Sequence, residues 1–275
     1  MLARIRFVGT VALAAIAFAV LVPFHLIAVA IGGPSSMKVA QLWQRFACFL
    51  MGLRVSVTGA PAKDRPLLLL SNHNSWLDIP VLASVAPVSF IAKSEVATWP
   101  VVSLLARAQR TVFVNRENRW ATGTHADEVA GRLSKGDIIV LFAEGTSSDG
   151  NRVLPFRSAL VGAAQRAIGD AGAATVQPVA IVYRKMHGMP LGRQHRPLVA
   201  WYGGIDLLPH LKRVASEGGI DAHVVFGPAR RLVAGDNRKE VTREAGDLVR
   251  RLVAALNAGR EPAEVLEAKE TIATH

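Results

Sequence analysis

A histidine and an aspartate five residues apart, His73 and Asp78, are the side chains in this sequence best suited to proton transfer. They follow the apolar run 67–71, and functional sites of open α/β sheets lie at the carboxyl ends of strands. A five-residue step on a continuous helix separates two side chains by about 140°. The pair therefore converges only if a turn intervenes, which Asn74 and Ser75 favour. A carboxylate bonded to one ring nitrogen would leave the other nitrogen as a base. In the alternative interpretation Asp78 only caps the next helix and His73 is an ordinary loop histidine.

A second polar loop, residues 144–150, follows the apolar run 138–142 and reads EGTSSDG. Its backbone N–H groups, with Arg152 and Arg157 close behind, suit an anionic or polar headgroup. The alternative is a plain turn before a helix. The loop is not a P-loop, because Asn151 and Arg152 stand where Lys and Ser or Thr would be needed. The sequence contains neither G-x-S-x-G nor H-E-x-x-H, and its histidines show no metal-ligand spacing.

Short apolar runs that alternate with amphipathic stretches predict the elements that carry these loops. Strands are expected at 54–57, 67–71, 88–92, 111–115, 138–142, 176–182, 198–202 and 222–226, and helices at 79–86, 99–109, 118–134 and 157–170. A last amphipathic helix, with Asn237 before its start, is expected from the spacing of Val241, Ala245, Leu248, Leu252 and Leu256. The alternation predicts an α/β fold with a mostly parallel sheet flanked by helices.

Residues 7–31 form an uncharged stretch that is long enough to cross a bilayer as a helix. Basic residues flank this stretch on both sides, and the first acidic residue is Asp64. The distribution of charge therefore does not show which end of a single span would face the cytoplasm. Pro23 favours a kink, and a re-entrant hairpin that enters and leaves by one face would suit both flanks. A cleaved signal peptide is the alternative, because residues 28–30 read Ala-Val-Ala. Residues 37–53 predict an interfacial helix.

The predicted organisation is an N-terminal membrane-embedded helical anchor at 1–54, a catalytic domain at 55–259 and a polar, frayed tail at 260–275. The chain has 275 residues, is 51% hydrophobic and carries a formal charge of +11, which excludes a disordered chain and indicates an anionic partner. No basic run and only two tyrosines are present, which favours a bilayer with anionic lipids over nucleic acid. Cys48 is the single cysteine, so an internal disulfide is excluded.

Together the two loops resemble the glycerophospholipid acyltransferase family, whose best-known members are 1-acylglycerol-3-phosphate acyltransferases. The N-H-x4-D block of that family is matched at Asn72, His73 and Asp78. Its F-P-E-G-T-R-S block is matched at Phe142, Glu144, Gly145, Thr146 and Ser148. Partial matches to other blocks lie at 90–95, 112–116 and 176–180. All of these matches follow the family's order.

The resemblance implies a membrane-bound O-acyltransferase at the cytoplasmic face of a bacterial inner membrane. Its donor would be acyl-CoA or acyl-acyl carrier protein, its acceptor a lysolipid hydroxyl, and it would need no metal or cofactor. His73 is implied as the general base and Asp78 as the carboxylate that orients it. The implied substrate-binding residues are Asn72, Lys93, Arg116, Glu144, Gly145, Thr146, Arg152 and Arg157.

Three positions depart from the family pattern: Ser147 replaces an arginine, Ala143 a proline and Asn115 an aspartate. The family's two arginines are thought to hold the acceptor's phosphate, and only Arg116 is kept. The default expectation is acylation of 1-acylglycerol-3-phosphate to phosphatidate, with Arg152 or Arg157 replacing the lost contact. The run 144–156 resembles lyso-ornithine lipid acyltransferases, so a zwitterionic acceptor without phosphate is the alternative. A lipid hydrolase and an inactive membrane-binding homologue are the alternatives from other classes.

Overall fold

The computed structural model describes residues 2–31, 35–114, 124–162, 165 and 172–273. The helices are α1 Leu2–Ile31, α2 Ser35–Met51, α3 Asp78–Val85, α4 Pro100–Ala108, α5 Thr124–Ser134, α6 Leu207–Glu217, α7 Arg238–Asn257 and α8 Pro262–Ala273. The strands are β1 Leu53–Thr58, β2 Leu67–Ser71, β3 Val88–Lys93, β4 Val112–Val114, β5 Ile138–Phe142, β6 Ala174–Met186, β7 Met189–Pro190, β8 Ile220–Phe226 and β9 Arg230–Leu232. Short 3₁₀ helices lie at Ser94–Thr98, Ser158–Val161 and Arg196–Leu198.

The strands of the described residues join one sheet in the order β1-β8-β6-β2-β5-β3-β4, with β7 and β9 also paired to β6. Strand β2 is central and lies parallel to both β5 and β6, so Ser71 is level with Phe142 on one side and Val179 on the other. The predicted α/β fold with a mostly parallel sheet is confirmed. The exceptions are β7, β8 and β9, which pair antiparallel with β6, and β1, which runs parallel to β8.

The core lies on both faces of the sheet because β2 is leucine-rich throughout. Leu67 and Leu69 belong to the cluster beneath α2, α3 and α6, while Leu68 and Leu70 belong to the cluster beneath α5 and α7. All four side chains are buried. A strand that is apolar on both faces is typical of a covered parallel sheet, and here it fixes the position of the polar loop that follows it.

Most expected elements are present, with three corrections. The strand predicted at 198–202 is wrong, because Pro197 lies in a 3₁₀ turn at Arg196–Leu198 and cannot donate to a ladder. The tail predicted as frayed is helical as α8, and its residues Val265 and Leu266 pack on the apolar face of α7. The helix predicted at 157–170 begins as a 3₁₀ turn at Ser158–Val161, and most of its remainder lies outside the described residues.

The N-terminal helix α1 continues through Pro23 without reversing, so of the two expected forms of residues 7–31, a helix and a re-entrant hairpin, the structure has the helix. Judged over the residues that the structure describes, no helix has the length and hydropathy needed to cross a membrane, and the membrane-embedded segment is not supported. The start of α1 is instead fixed to the rest of the fold. Arg6 donates to the carbonyls of Ala215 and Met51, and Thr10 donates to that of Leu50.

Candidate active site

The turn that residues 74–77 make brings His73 and Asp78 together at the carboxyl end of β2. The imidazole Nδ1 lies 2.8 Å from Oδ2 of Asp78. The turn closes by a bond from the Asp78 N–H to the carbonyl of Ser75, at 3.0 Å, and α3 then starts at Asp78. The side chain of His73 is 19% exposed and that of Asp78 is 0% exposed. One ring edge therefore faces a buried carboxylate while part of the ring is open to solvent.

The carboxylate of Asp78 accepts hydrogen bonds on both oxygens. Its Oδ2 accepts from the backbone N–H groups of Asn74 at 2.7 Å and Ser75 at 2.9 Å, besides the imidazole. Its Oδ1 accepts from the hydroxyl of Tyr183 on β6, at 2.7 Å. An anionic Asp78 assigns the proton of a neutral His73 to Nδ1, which leaves the lone pair on Nε2.

The loop that carries His73 is fastened to β6 by two asparagines. The amide of Asn72 accepts from the Ile181 N–H at 2.8 Å and donates to the Ile181 carbonyl at 2.9 Å. Asn74 donates to the same carbonyl at 3.0 Å. Asn72, which the sequence predicts as a substrate-binding residue, is fully buried. It therefore holds the loop in place.

Glu144 is the second predicted substrate-binding residue that the structure places beneath the surface. It is 1% exposed, its Oε1 accepts from the backbone N–H of His73 and its Oε2 from that of Leu154, both at 2.8 Å. Burial raises the pKa of Glu144 to about 7, against the opposing effect of those two hydrogen bonds. Glu144 thus links the two polar loops and titrates close to neutral pH.

Gly145 and Thr146 of the second loop lie nearer the surface than Glu144, and Arg157 lies beside them. Gly145 has φ +78, and an added Cβ would lie 3.1 Å from Nε of Arg157, so the guanidinium covers the glycine backbone. Thr146, Arg152 and Arg157 are exposed. Ser148 closes the loop onto the first one, because its N–H donates to the His73 carbonyl at 2.8 Å. The structure therefore brings Gly145, Thr146 and Arg157 next to the histidine loop.

The other predicted residues lie at or beyond the margin of this group. Lys93 is exposed at the end of β3, and β3 borders β5 in parallel, so it lies at the same edge of the sheet. Arg116 lies outside the described residues. Sequence reasoning matched Phe142 to a family block but did not anticipate that its ring stacks on that of His73, with centroids 4.0 Å apart. It also missed Tyr183, which directly follows the apolar run 176–182 and precedes two basic residues, so nothing in the sequence marks it as part of the site.

The geometry suits transfer of one proton from a bound hydroxyl or water to Nε2 of His73. The hydrogen bond to Asp78 orients the ring, and the aromatic face of Phe142 packs against it and limits its rotation. An arginine guanidinium on the adjacent loop can bind an anionic group of the same molecule.

The sequence that builds this site is similar to the sequences of known proteins. The family described as Acyltransferase matches residues 54–182. A lyso-ornithine lipid O-acyltransferase of Brucella abortus (strain 2308) is 48% identical, over 88% of this chain and 91% of that protein. A 1-acyl-sn-glycerol-3-phosphate acyltransferase of Neisseria meningitidis serogroup B is 34% identical, over 74% of this chain and 75% of that protein.

A similar fold occurs in a solved structure. The crystal structure of the 1-acyl-sn-glycerophosphate (LPA) acyltransferase PlsC from Thermotoga maritima matches with a TM-score of 0.64 at 22% sequence identity. The match covers 93% of this chain and 98% of that chain. The likeness shows that the two proteins share a fold.

Proposed function

The chain belongs to the acyltransferase family and is an enzyme of that kind, and on this premise we propose that it acylates the hydroxyl of lyso-ornithine lipid. The observation that carries the choice of acceptor is the similarity to the Brucella abortus enzyme over nearly the full length of both chains. This proposal replaces the default expectation of 1-acylglycerol-3-phosphate. Ser147, at the position where the family usually has a phosphate-binding arginine, supports the change.

In the proposed reaction His73 acts as the general base. Its Nε2 takes the proton of the acceptor hydroxyl while that oxygen attacks the carbonyl carbon of an acyl thioester. The tetrahedral intermediate then expels the thiolate, which takes the proton back from the imidazolium. The ester bond forms, the thioester bond breaks, and no acyl-enzyme is required. Lys93, exposed at the end of β3, is a candidate donor to the developing oxyanion.

We assign the acceptor's headgroup to the surface of residues 145–147 and Arg157. The exposed guanidinium of Arg157 over Gly145 presents N–H donors that match the headgroup carboxylate of ornithine. Arg152 is close enough in sequence to add a second cation. The small side chain of Ser147 leaves room where an arginine would bring another positive charge towards the ornithine ammonium.

We also propose that the protein works at the cytoplasmic face of a bacterial inner membrane and takes its lysolipid from the bilayer. Large apolar side chains are exposed along α1, among them Val8, Ile16, Phe24 and Ile27, and Phe49 is 75% exposed on α2. The same two helices carry Arg6, Lys38 and Arg45, and no acidic residue. Apolar side chains beside cations suit a surface of anionic lipids. The donor is acyl-CoA or acyl-acyl carrier protein.

The test of this function offers a labelled acyl thioester and two acceptors in parallel, lyso-ornithine lipid and 1-acylglycerol-3-phosphate, to the detergent-purified protein. We expect acylation of the ornithine lipid to be the faster reaction, to require His73, and to give acylated lipid rather than free fatty acid. His187→Ala, which removes an exposed histidine of the β6–β7 turn, is the matched control for His73→Ala. Acylation of the phosphate acceptor alone would refute the proposed acceptor, and release of fatty acid alone would indicate a hydrolase.

A further inference from the structure

Tyr183 lies on β6, more than a hundred residues after the histidine loop, yet its hydroxyl touches the site's buried carboxylate. The phenol oxygen is 2.7 Å from Oδ1 of Asp78, whereas His73 is bound to Oδ2. The side chain of Tyr183 is 6% exposed and belongs to the apolar cluster beneath α2 and α3. The carboxylate is therefore held between an imidazole on one oxygen and a phenol on the other.

The surroundings of this contact keep the phenol protonated. Burial, and then the negative charge of Asp78, raise the pKa of Tyr183 well above its ordinary value of 10.0. The titratable groups that face the pair are His73 in the loop, Glu144 in the second loop and the thiol of Cys48 on α2. Burial raises the pKa of that thiol to about 11, so it too is neutral at physiological pH. Tyr183 consequently remains a hydrogen-bond donor throughout the working pH range.

We propose that Tyr183 is a positioning residue of the reaction, which acts on the base His73 through Asp78; this inference rests on the proposed function. Oδ2 of Asp78 already receives two backbone N–H groups and the imidazole, but Oδ1 receives the phenol. The phenol sets the plane of the carboxylate and therefore the direction in which Oδ2 meets Nδ1. It also takes a share of the negative charge, which limits how strongly Asp78 attracts the imidazole proton.

The substitution Tyr183→Phe tests the proposal because it keeps the buried ring and removes only the donor. We expect kcat to fall about 10- to 100-fold with the KM for the acceptor unchanged, the range that corresponds to one hydrogen bond to a charged group. The acid limb of the kcat/KM profile should move to higher pH, since the unshared charge of Asp78 holds the imidazole proton more tightly. A residue with only a packing role would move neither quantity.

Thr242→Val is the matched control, because it also removes one buried hydroxyl donor, which here bonds the Arg238 carbonyl within α7. It should lower the thermal stability and leave the pH profile in place. If Tyr183→Phe is folded and its kcat and pH profile superimpose on those of the parent, the proposal is wrong. If instead His73→Ala retains full activity, the proposed function itself fails, so the two failures are distinguishable.

A second variant covers the case in which Tyr183→Phe does not fold. The chain contains two tyrosines, so growth on 3-fluorotyrosine in a Tyr202→Phe background labels Tyr183 alone. A fluorinated phenol is a stronger donor of the same shape. Compared with the unlabelled Tyr202→Phe protein, the acid limb should then move to lower pH, opposite to the Phe variant. An unchanged profile or a shift to higher pH would overturn the proposal.

Discussion

Glu144 makes the folded protein less stable as the pH rises towards 7, whereas most carboxylates make a folded protein more stable as the pH rises. Its pKa is about 7 in the folded protein against an ordinary value of 4.5, because burial disfavours its charge. The folded state therefore binds a proton that the unfolded chain has already released. At about 1.4 kcal/mol per pH unit, the stability lost as the pH rises from 4.5 to about 7 is about 3 kcal/mol. Below pH 4.5 this contribution is fully present.

The variant Glu144→Gln is neutral at every pH and should remove this dependence. The substitution should also lower the free energy of unfolding by an amount that does not depend on pH. The amide NH₂ of the glutamine cannot accept a hydrogen bond, so it leaves the backbone N–H of either His73 or Leu154 without the carboxylate oxygen that accepts from it in the parent. The variant should thus have a lower free energy of unfolding than the parent in acid. The difference between the two free energies should shrink by about 3 kcal/mol as the pH rises from 4.5 to 8, because only the parent loses stability.

Urea unfolding in detergent micelles, repeated at several pH values, measures this difference directly. Glu128→Gln, which neutralises an exposed carboxylate on α5, is the control and should give a curve parallel to the parent's. If the curve of Glu144→Gln is also parallel to the parent's, Glu144 does not titrate near neutral pH. The argument from burial would then be refuted.

Four further outcomes follow from the site and the N-terminal helices. Asp78→Asn should lower kcat by about 10²–10⁴-fold in the acyl-transfer assay, because the base loses its orienting anion, while Asp247→Asn on α7 should be silent. Ser147→Arg should raise kcat/KM for 1-acylglycerol-3-phosphate relative to lyso-ornithine lipid by about 10-fold or more, and an unchanged ratio would count against the assigned headgroup surface. Gly145→Ala and Gly172→Ala should each lower the unfolding free energy by about 1–2 kcal/mol, because both glycines have a positive φ that strains an alanine. Only Gly145→Ala should raise the KM for the acceptor, since only there does the added Cβ displace Arg157. Phe24→Asp should weaken binding to vesicles with anionic lipid in a flotation assay, whereas the equally exposed control Met189→Asp should not.

Much of the site could be predicted from the sequence because its parts are local. His73 and Asp78 are separated by one turn, and Asn74 and Ser75 suit that turn, so their contact followed from the spacing. The neighbouring position of the Glu144 loop followed from a parallel sheet, in which strand ends meet at one edge. The catalytic roles of these residues stay predictions until the substitutions are assayed.

The features that could not be predicted from the sequence depend on the order of strands in the sheet and on which side chains are buried. Tyr183 lies just beyond the apolar run 176–182, and predicting its contact with Asp78 requires knowing that β6 lies beside β2. The antiparallel direction of β8 leaves no mark on its apolar pattern. Motif matching alone also places Asn72 and Glu144 against the substrate, since it records residue types and not which way a side chain is buried.

The fastening of the histidine loop to Ile181 also has a consequence during translation. Asn72 and Ile181 are 109 positions apart, so the ribosome must complete β6 before the loop has its support. The apolar helix α1 leaves the exit tunnel long before that. We therefore expect His73 to reach its folded position only after the middle of the chain has been synthesised and the central strands have closed.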